Sequence, residues 1–286
     1  MQKYIKQYLD YLRIEKVLSE RTIEIYTRDL SEFVKFIKKS SFNKLARAHI
    51  REFLCFLAEK NNQPITRRRK LTSLKNFFQF LESENLIKNN PVKNIAMPKV
   101  KEKEPSYLTE AELKKLIGII KKDKSKHQKR NELIVTIFIE TGIRISELVN
   151  LDAGDIDAKA KTIIIKRKGG QKQSIPINAK LARKIKQAYK NKEMDEPLFF
   201  SSFKKRITQR RVGMLIQKYL KLAGIKKPNI SVHSIRHSFC SRLLEKGVNL
   251  KTIQILAGHK NISTTERYLH IDKSKLRKEV RLAEIN

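Results

Sequence analysis

The chain has 286 residues, of which 64 are Lys or Arg and 29 are Asp or Glu, so its formal charge at pH 7 is +35. Both halves of the chain are basic, which predicts a polyanionic partner, and nucleic acid is the one we expect. The absence of a long apolar run argues against a membrane protein, and the charged first residues do not form a signal peptide. Cys55 and Cys240 lie beside apolar residues and are expected to be buried thiols rather than disulfide or zinc ligands, which fits a cytoplasmic protein.

Before residue 90, apolar residues recur at helical spacing in four segments, at 2–16, 20–38, 44–60 and 65–86. This pattern predicts a small helical bundle over residues 1–89. A basic run opens the fourth segment and is either a solvated helix face or a set of contacts to nucleic-acid phosphates, and the high overall charge favours phosphate contacts. The run consists of Arg67, Arg68, Arg69 and Lys70.

A change in composition marks the end of this bundle. Residues 90–107 contain three prolines among charged residues, which predicts an extended linker. A capping box over residues 109–112 then begins the first helix of a second domain, which we place at 108–286. Two short runs of mostly apolar residues, 162–166 and 173–177, flank a Lys-Gly-Gly turn and predict a β-hairpin. The second domain is therefore expected to be α+β and mostly helical.

The stretch that begins at His233 groups side chains suited to cutting a phosphodiester. Arg236 follows three residues after His233, so the two share a helix face and could meet one phosphate. His259 lies in a Leu-Ala-Gly-His turn, and Tyr268 comes nine residues later, in a short helix that Ser263 is expected to cap. A free tyrosine has a pKa of about 10 and attacks poorly, so it needs neighbouring cations and a proton acceptor. Each of these features, taken alone, is found more often on a protein surface or in a core than in a catalytic site.

Two upstream residues extend the set. Arg144 is expected in the first turn of a helix that starts just after Gly142, where backbone N–H groups favour an anion. The alternative is that Arg144 pairs with Glu147 on its own helix. Lys168, at the tip of the predicted hairpin, is either a solvated lysine or a mobile ammonium that protonates a departing oxygen. The order and spacing of the whole set favour a catalytic site.

With these residues in the order Arg, Lys, His-x-x-Arg, His and Tyr, the chain resembles the tyrosine recombinases, in particular the small Xer-type members. The resemblance implies a mostly α fold, with an N-terminal four-helix SAM-like core-binding domain and an α+β catalytic domain that contains a small β-sheet. It also implies site-specific cutting and rejoining of DNA through a 3′-phosphotyrosyl intermediate, without a cofactor or a metal ion. The implied catalytic residues are Arg144, Lys168, His233, Arg236, His259 and Tyr268.

The resemblance also covers the first hundred residues, where 21–30 is similar to the first DNA-facing helix of the family's core-binding domain. Arg21 and Arg28 are its candidate DNA contacts. The partners it implies are a double-stranded recombination site and three further copies of the chain, as a homotetramer on two paired sites. Residues 273–285 are expected to form a tail helix that packs either on its own domain or on a neighbouring subunit. One departure from the family is Ala257, where leucine is commoner.

Several functions share this chemistry. The N-terminal half and the small size favour an Xer-like role in chromosome dimer resolution. An integrase of a mobile element or virus is a close alternative, and the lack of an extra arm-binding domain argues only mildly against it. A type IB topoisomerase would use the same phosphotyrosine to relax supercoils. A DNA-binding protein that has lost catalysis is disfavoured because all six catalytic positions are filled.

Overall fold

The computed structural model of the protein describes residues 2–37, 42–100, 106–167, 170–189 and 193–258, together with residues 261 and 265. The chain divides into two compact units, Met1–Lys103 and Glu104–Asn286. Each unit has a hydrophobic core of its own. Within the described residues, every helix is too short or too polar to cross a bilayer.

Four helices build the described part of the first unit: α1 (Gln2–Ile14), α2 (Glu20–Phe36), α3 (Arg47–Glu59) and α4 (Pro64–Ser83). The N-cap of α2 is Ser19, whose side chain accepts a hydrogen bond from the backbone N–H of Thr22. Pro64 supplies the fixed φ that suits the first position of α4. The predicted four-helix bundle is confirmed, with ends that differ from the predicted ones by a few residues.

Phenylalanine side chains fill the centre of this bundle. Phe33 of α2 and Phe53 of α3 are 0% exposed, and their rings meet edge to face at 5.1 Å. Phe77 and Phe78 of α4 are equally buried and meet the ring of Phe42 edge to face. Full burial of one such side chain stabilises a protein by roughly 1.5–3 kcal/mol. The aromatic core therefore holds α2, α3 and α4 as one body.

The segment predicted as a linker is partly built into the first unit. Val92 and Ile95 are buried in its core, and the Lys75 ammonium donates a hydrogen bond to the carbonyl of Ile95 at 2.8 Å. At the far end, the backbone N–H of Leu108 donates to Ser238 Oγ at 2.7 Å within the second unit. The prolines predicted extension, but the apolar residues between them gain free energy by burial. The described connection is therefore shorter than the composition indicated.

The described part of the second unit contains seven α-helices and a small sheet. The helices are α5 (Glu110–Lys121), α6 (Gln128–Thr141), α7 (Ile145–Val149), α8 (Ala179–Ala188), α9 (Gln209–Leu222), α10 (Val232–Glu245) and α11 (Leu250–Ala257). The antiparallel sheet has the order β1 (Ile156–Asp157), β2 (Thr162–Lys166) and β3 (Lys172–Pro176). The predicted hairpin is confirmed, with Ile163 paired to Ile175. The predicted capping box is also present, since Thr109 and Glu112 each donate a backbone N–H to the other's side chain.

Helix α6 runs through the centre of the second unit and packs against α10. Its residues Ile134 and Ile137 are 0% exposed. The helix ends at Gly142, whose φ of +60° lies in the left-handed region that favours glycine. A Cβ at this position would also overlap the ring of Phe239 on α10. Gly142 therefore permits the tight turn that places Arg144 at the start of α7.

The two cysteines differ in their surroundings. Cys240 is buried, as predicted, whereas Cys55 is exposed, and its predicted burial is wrong. Helix α3 turns Phe53 and Leu57 into the core, and Cys55 lies between them on the opposite face. The run of apolar residues around Cys55 predicted burial, but the helical period places Cys55 on the exposed face of α3.

The turn between α1 and α2 contains a strained residue, which gives a stability prediction. Val17 has a φ of +47° although it is β-branched, and its side chain is 79% exposed. The left-handed region costs such a residue about 1–2 kcal/mol and is tolerated far better by asparagine. We expect Val17→Asn to raise the thermal unfolding midpoint by several degrees. The reciprocal control is Asn61→Val, which puts valine at a φ of +55° and is expected to lower the midpoint. An unchanged midpoint in Val17→Asn would contradict the strain.

Candidate active site

Arg144 is the N-cap residue of α7 and takes part in two kinds of contact. Its backbone N–H donates to Glu147 Oε2 at 2.7 Å, and its Nη1 donates to Glu147 Oε1 at 2.9 Å. Its Nη2 donates to the carbonyl oxygen of Gly258 at 2.7 Å. The pairing with Glu147 that the sequence offered as an alternative is therefore present. It leaves the Arg144 side chain 35% exposed, so the guanidinium can also meet a ligand.

Arg236 lies in the first half of α10 and is 6% exposed. Its Nη1 donates to the carbonyl of Gly142 at 2.6 Å, and its Nη2 donates to the carbonyl of Ala257. Burial, and after it the charge of Arg144, lowers the pKa of Arg236 to about 10, so Arg236 is a cation at neutral pH. His233 lies one turn earlier and is exposed. Partial desolvation of its ring, followed by the charges of Arg236 and Arg144, lowers the pKa of His233.

Two residues that the sequence analysis did not assign to the site lie at its centre. The side chain of Glu147 is only 5% exposed, and that of Arg167, the residue directly after β2, is only 10% exposed. Arg167 Nη1 donates to Glu147 Oε1 at 3.0 Å, so Glu147 joins Arg144 and Arg167 through one carboxylate. Glu147 could be found from its position three residues after Arg144. Arg167 gives no comparable signal, because its partners are distant in the chain.

The carboxyl end of α11 is held by side chains from the β2–β3 hairpin, from the start of α7 and from α10. Four successive backbone carbonyls accept hydrogen bonds from these side chains, which provide partners that a helix lacks for its last carbonyls. Gly258 follows with a φ of +61°, and a Cβ on it would overlap the Arg167 guanidinium. The acceptor and donor pairs are Ile255 with Gln173, Leu256 with Arg167, Ala257 with Arg167 and Arg236, and Gly258 with Arg144.

The site carries an excess of positive charge. The guanidinium groups of Arg144, Arg167 and Arg236 surround a single buried carboxylate, that of Glu147. Because these groups are partly withdrawn from water, their electrostatic effect is stronger than that of surface charges. Planar guanidinium donors in such a place suit an oxyanion with several oxygens, such as a phosphate diester. In the described part of the chain, no group of three or more His, Cys, Asp or Glu residues could hold a metal ion.

Three predicted catalytic residues, Lys168, His259 and Tyr268, lie outside the described residues. The predicted cap at Ser263 and the predicted tail helix 273–285 also lie outside them. The structure thus brings together Arg144, His233 and Arg236. For Lys168 and His259 it describes the preceding residue, Arg167 and Gly258 respectively.

The basic residues predicted to contact nucleic acid in the first unit differ in exposure and in ion pairing. Arg21, Arg28 and Arg68 are exposed. Lys70 is buried at 7% exposure, and its ammonium donates to Glu32 Oε2 at 2.6 Å. The prediction that Lys70 contacts a phosphate does not fit this burial, because the charge is already neutralised inside the bundle. The two other members of the basic run are Arg67, which is half-buried, and Arg69, which forms an ion pair with the buried Asp29 while its side chain is 44% exposed.

Comparison with known proteins identifies both units. Residues 106–275 match the phage integrase family, and residues 5–85 match the N-terminal SAM-like domain of phage integrases. The tyrosine recombinase XerC of Thermodesulfovibrio yellowstonii is 35% identical over 281 residues, which cover 95% of this chain and 92% of the relative.

Two solved structures have a similar fold. The XerH site-specific recombinase bound to palindromic difH substrate has a TM-score of 0.77 at 23% identity, with 96% of this chain and 83% of that chain covered. A lambda integrase dimer bound to a COC′ core site has a TM-score of 0.76 at 18% identity, with 94% and 76% covered. The family match spans more than half of the chain, and the XerC relative spans nearly all of it. The chain therefore belongs to the phage integrase family and is a tyrosine-type site-specific recombinase, an enzyme that breaks and rejoins DNA strands.

Proposed function

We propose that this recombinase is Xer-like and resolves chromosome dimers, and that its catalytic residues are Arg144, Lys168, His233, Arg236, His259 and Tyr268. The observation that carries the Xer-like role is the similarity to a XerC relative across nearly the whole of both chains. Support for the catalytic set comes from the geometry of its described members. Arg144 is distant in the sequence from His233 and Arg236, and the three side chains influence one another electrostatically.

Arg144 and Arg236 hold the two non-bridging oxygens of the scissile phosphate in this proposal. A guanidinium has five N–H donors. Among the described residues, each of these two arginines uses its Nη1 and Nη2 groups once, on Glu147 and Gly258 or on Gly142 and Ala257. Each therefore keeps donors for a ligand while its backbone contacts hold it still. Donors fixed in advance in this way stabilise the charge that grows on the phosphate during attack, and His259 adds to them.

The chemical step is an in-line displacement at phosphorus. Tyr268 Oη forms a bond to phosphorus while the bond from phosphorus to the 5′ oxygen breaks, which leaves a 3′-phosphotyrosyl enzyme. Lys168 gives its proton to the departing 5′ oxygen, and His233 orients or accepts the proton of the tyrosine. The energy of the phosphodiester is conserved in the new ester. The 5′-hydroxyl of a partner strand reverses the step without a nucleotide cofactor.

The partner in this proposal is a double-stranded recombination site, with four copies of the chain on two paired sites. Support comes from the formal charge of +35, which is spread over both units. The helical domain of residues 1–89, with Val92 and Ile95 packed into its core, acts as a DNA clamp that is joined to the catalytic domain 108–286. The exposed arginines of the first unit, Arg21 and Arg28 among them, supply backbone contacts that carry no sequence information.

The lowered pKa of His233 predicts the pH dependence of cleavage. Desolvation and two neighbouring cations favour the neutral ring, so His233 stays neutral as the pH falls through its ordinary value near 6.5. We expect single-turnover cleavage to show an acidic limb only below pH 6.5. His233→Gln, which has no titratable ring, should be slower and lack that limb. An acidic limb at or above pH 7 that disappears in His233→Gln would contradict the lowered pKa.

The Xer-like role is tested by finding where the protein acts on the genome from which the gene comes. Resolution of a dimer by one crossover needs one site in each chromosome copy. Purified protein is incubated with fragmented genomic DNA, stopped with SDS, and the DNA in covalent adducts is sequenced. A single chromosomal site outside any mobile element is expected. Adducts at the two ends of an integrated element would show an integrase, and adducts spread without sequence preference would show a topoisomerase.

A further inference from the structure

We propose that Arg167 is a positioning residue, which fixes the base of the β2–β3 hairpin to the carboxyl end of α11 and so keeps Lys168 within reach of the scissile phosphate. This inference deepens the proposed function and rests on the role given there to Lys168. It starts from the described contacts of Arg167, which lies directly before Lys168 in the chain.

The contacts of Arg167 differ from those of the two phosphate-binding candidates. Its Nε donates to Gln173 Oε1 at 2.8 Å, and its Nη2 donates to the carbonyl of Leu256 at 3.0 Å. Its Nη1 makes two bonds, to Glu147 Oε1 and to the carbonyl of Ala257, both at 3.0 Å. Four of its five donors are thus engaged inside the protein, and its side chain is 10% exposed. Arg167 is therefore built to connect protein elements rather than to bind DNA.

The connection joins two segments that both lead into the catalytic set. In the sequence, Lys168 directly follows Arg167, and His259 directly follows Gly258 at the end of α11. Within the described residues, Arg167 and Gln173 are the hairpin residues that bond to the end of α11. Gln173 is itself oriented by Arg167, since its amide oxygen accepts the Arg167 Nε hydrogen bond. Loss of Arg167 therefore removes most of the link.

The β2–β3 hairpin depends on Arg167 more than the end of α11 does. The end of α11 is also held by Arg236 at Ala257 and by Arg144 at Gly258. The hairpin has only Gln173 as a second bond to α11 among the described residues. Removal of Arg167 should therefore release the hairpin first and disturb Lys168 more than the arginines. Glu147 keeps its pairing with Arg144, so no buried carboxylate is left without a partner.

A displaced general acid leaves a specific chemical signature. Protonation of the leaving group matters for a 5′ oxygen, but a 5′ sulfur in a bridging phosphorothiolate departs as a thiolate without a proton, because a thiol is far more acidic than an alcohol. The experiment measures single-turnover cleavage by the full chain, at saturating enzyme, on matched suicide substrates with a 5′-bridging oxygen or sulfur. The variants are Arg167→Ala, Gln173→Ala, Lys168→Ala and the control Lys172→Ala, which removes an exposed charge from the same hairpin.

Arg167→Ala should cleave the oxygen substrate on the order of 10- to 100-fold more slowly. Losses of this size are found when residues that orient the ligands of a metal ion are removed. Its rate on the sulfur substrate should be within a few-fold of the parent. Gln173→Ala should show the same pattern with a smaller loss, and it decides the question if Arg167→Ala does not fold. Lys172→Ala should cleave both substrates like the parent.

Two results would overturn the positioning role of Arg167. One is an equal loss on both substrates, and the other is no loss on either. Lys168→Ala separates this failure from failure of the proposed mechanism. If sulfur rescues Lys168→Ala but not Arg167→Ala, the acid is correctly assigned and the positioning role is wrong. If sulfur does not rescue Lys168→Ala, the leaving-group role of Lys168 is wrong.

Discussion

Tyr268→Phe is expected to bind its recombination site like the parent protein and to form no covalent adduct with DNA. The substitution removes only the hydroxyl oxygen that attacks phosphorus, and it leaves the charges of Arg144 and Arg236 in place. Without a nucleophile the reaction cannot proceed, so the expected loss is complete within detection. The measurement is SDS-resistant protein–DNA adduct on a nicked substrate, from which the cleaved strand end diffuses away and prevents religation.

The matched control for this experiment is Tyr107→Phe, which removes a tyrosine hydroxyl from the same unit. The backbone carbonyl of Tyr107 accepts a hydrogen bond from Lys227 at 3.0 Å, a contact that phenylalanine retains. We expect adduct formation by the control at the parent rate. If Tyr268→Phe still formed the adduct while binding normally, another residue would be the nucleophile.

Arg236→Lys is expected to slow cleavage on the order of 10²- to 10³-fold, the loss typical of removing one preorganised donor to a transition state. Arg236 bonds to Gly142 and Ala257 through different nitrogens, and a lysine has one nitrogen with which to replace them. The ammonium would also present a point charge instead of a planar fork to the phosphate. Single-turnover rates at saturating enzyme separate this loss from weaker DNA binding.

Arg242→Lys is the matched control, because Arg242 also lies on α10 and also donates to a backbone carbonyl, that of Ile139. We expect its cleavage rate within a few-fold of the parent. Thermal unfolding of both variants shows whether either loses its fold. A rate for Arg236→Lys near that of the parent would mean that Arg236 serves the fold alone.

Local features of this fold could be predicted because their causes are local. Gly142 ends α6 through its left-handed φ, and the box from Thr109 to Glu112 satisfies the first N–H groups of α5. The alternation of buried and less buried residues along β2 needs only the pleat of a strand. The order of Arg144, His233 and Arg236 in the chain was likewise enough to group them.

Features that depend on distant partners could not be predicted in this way. Lys70 reads as part of a basic run, and only the packing of α2 against α4 brings Glu32 to its ammonium. Arg167 is separated by about 90 residues from the carbonyls that it binds, as its contact with Ala257 shows. The sequence around Val92 predicts a linker, but Val92 packs into the hydrophobic core of the first unit. In each case, the position of the side chain is determined by contacts with residues that are distant in the sequence.

The residue to which the cleaved DNA is attached identifies the nucleophile of this recombinase. The parent protein is trapped on a nicked suicide substrate, digested with trypsin and nuclease, and the nucleotide-bearing peptide is sequenced by mass spectrometry. Cleavage after Arg267 and Lys273 would release a peptide with Tyr268 as its first residue. We expect a nucleotide joined through its 3′ phosphate to Tyr268. A nucleotide on any other residue, or one joined through a 5′ phosphate, would contradict it.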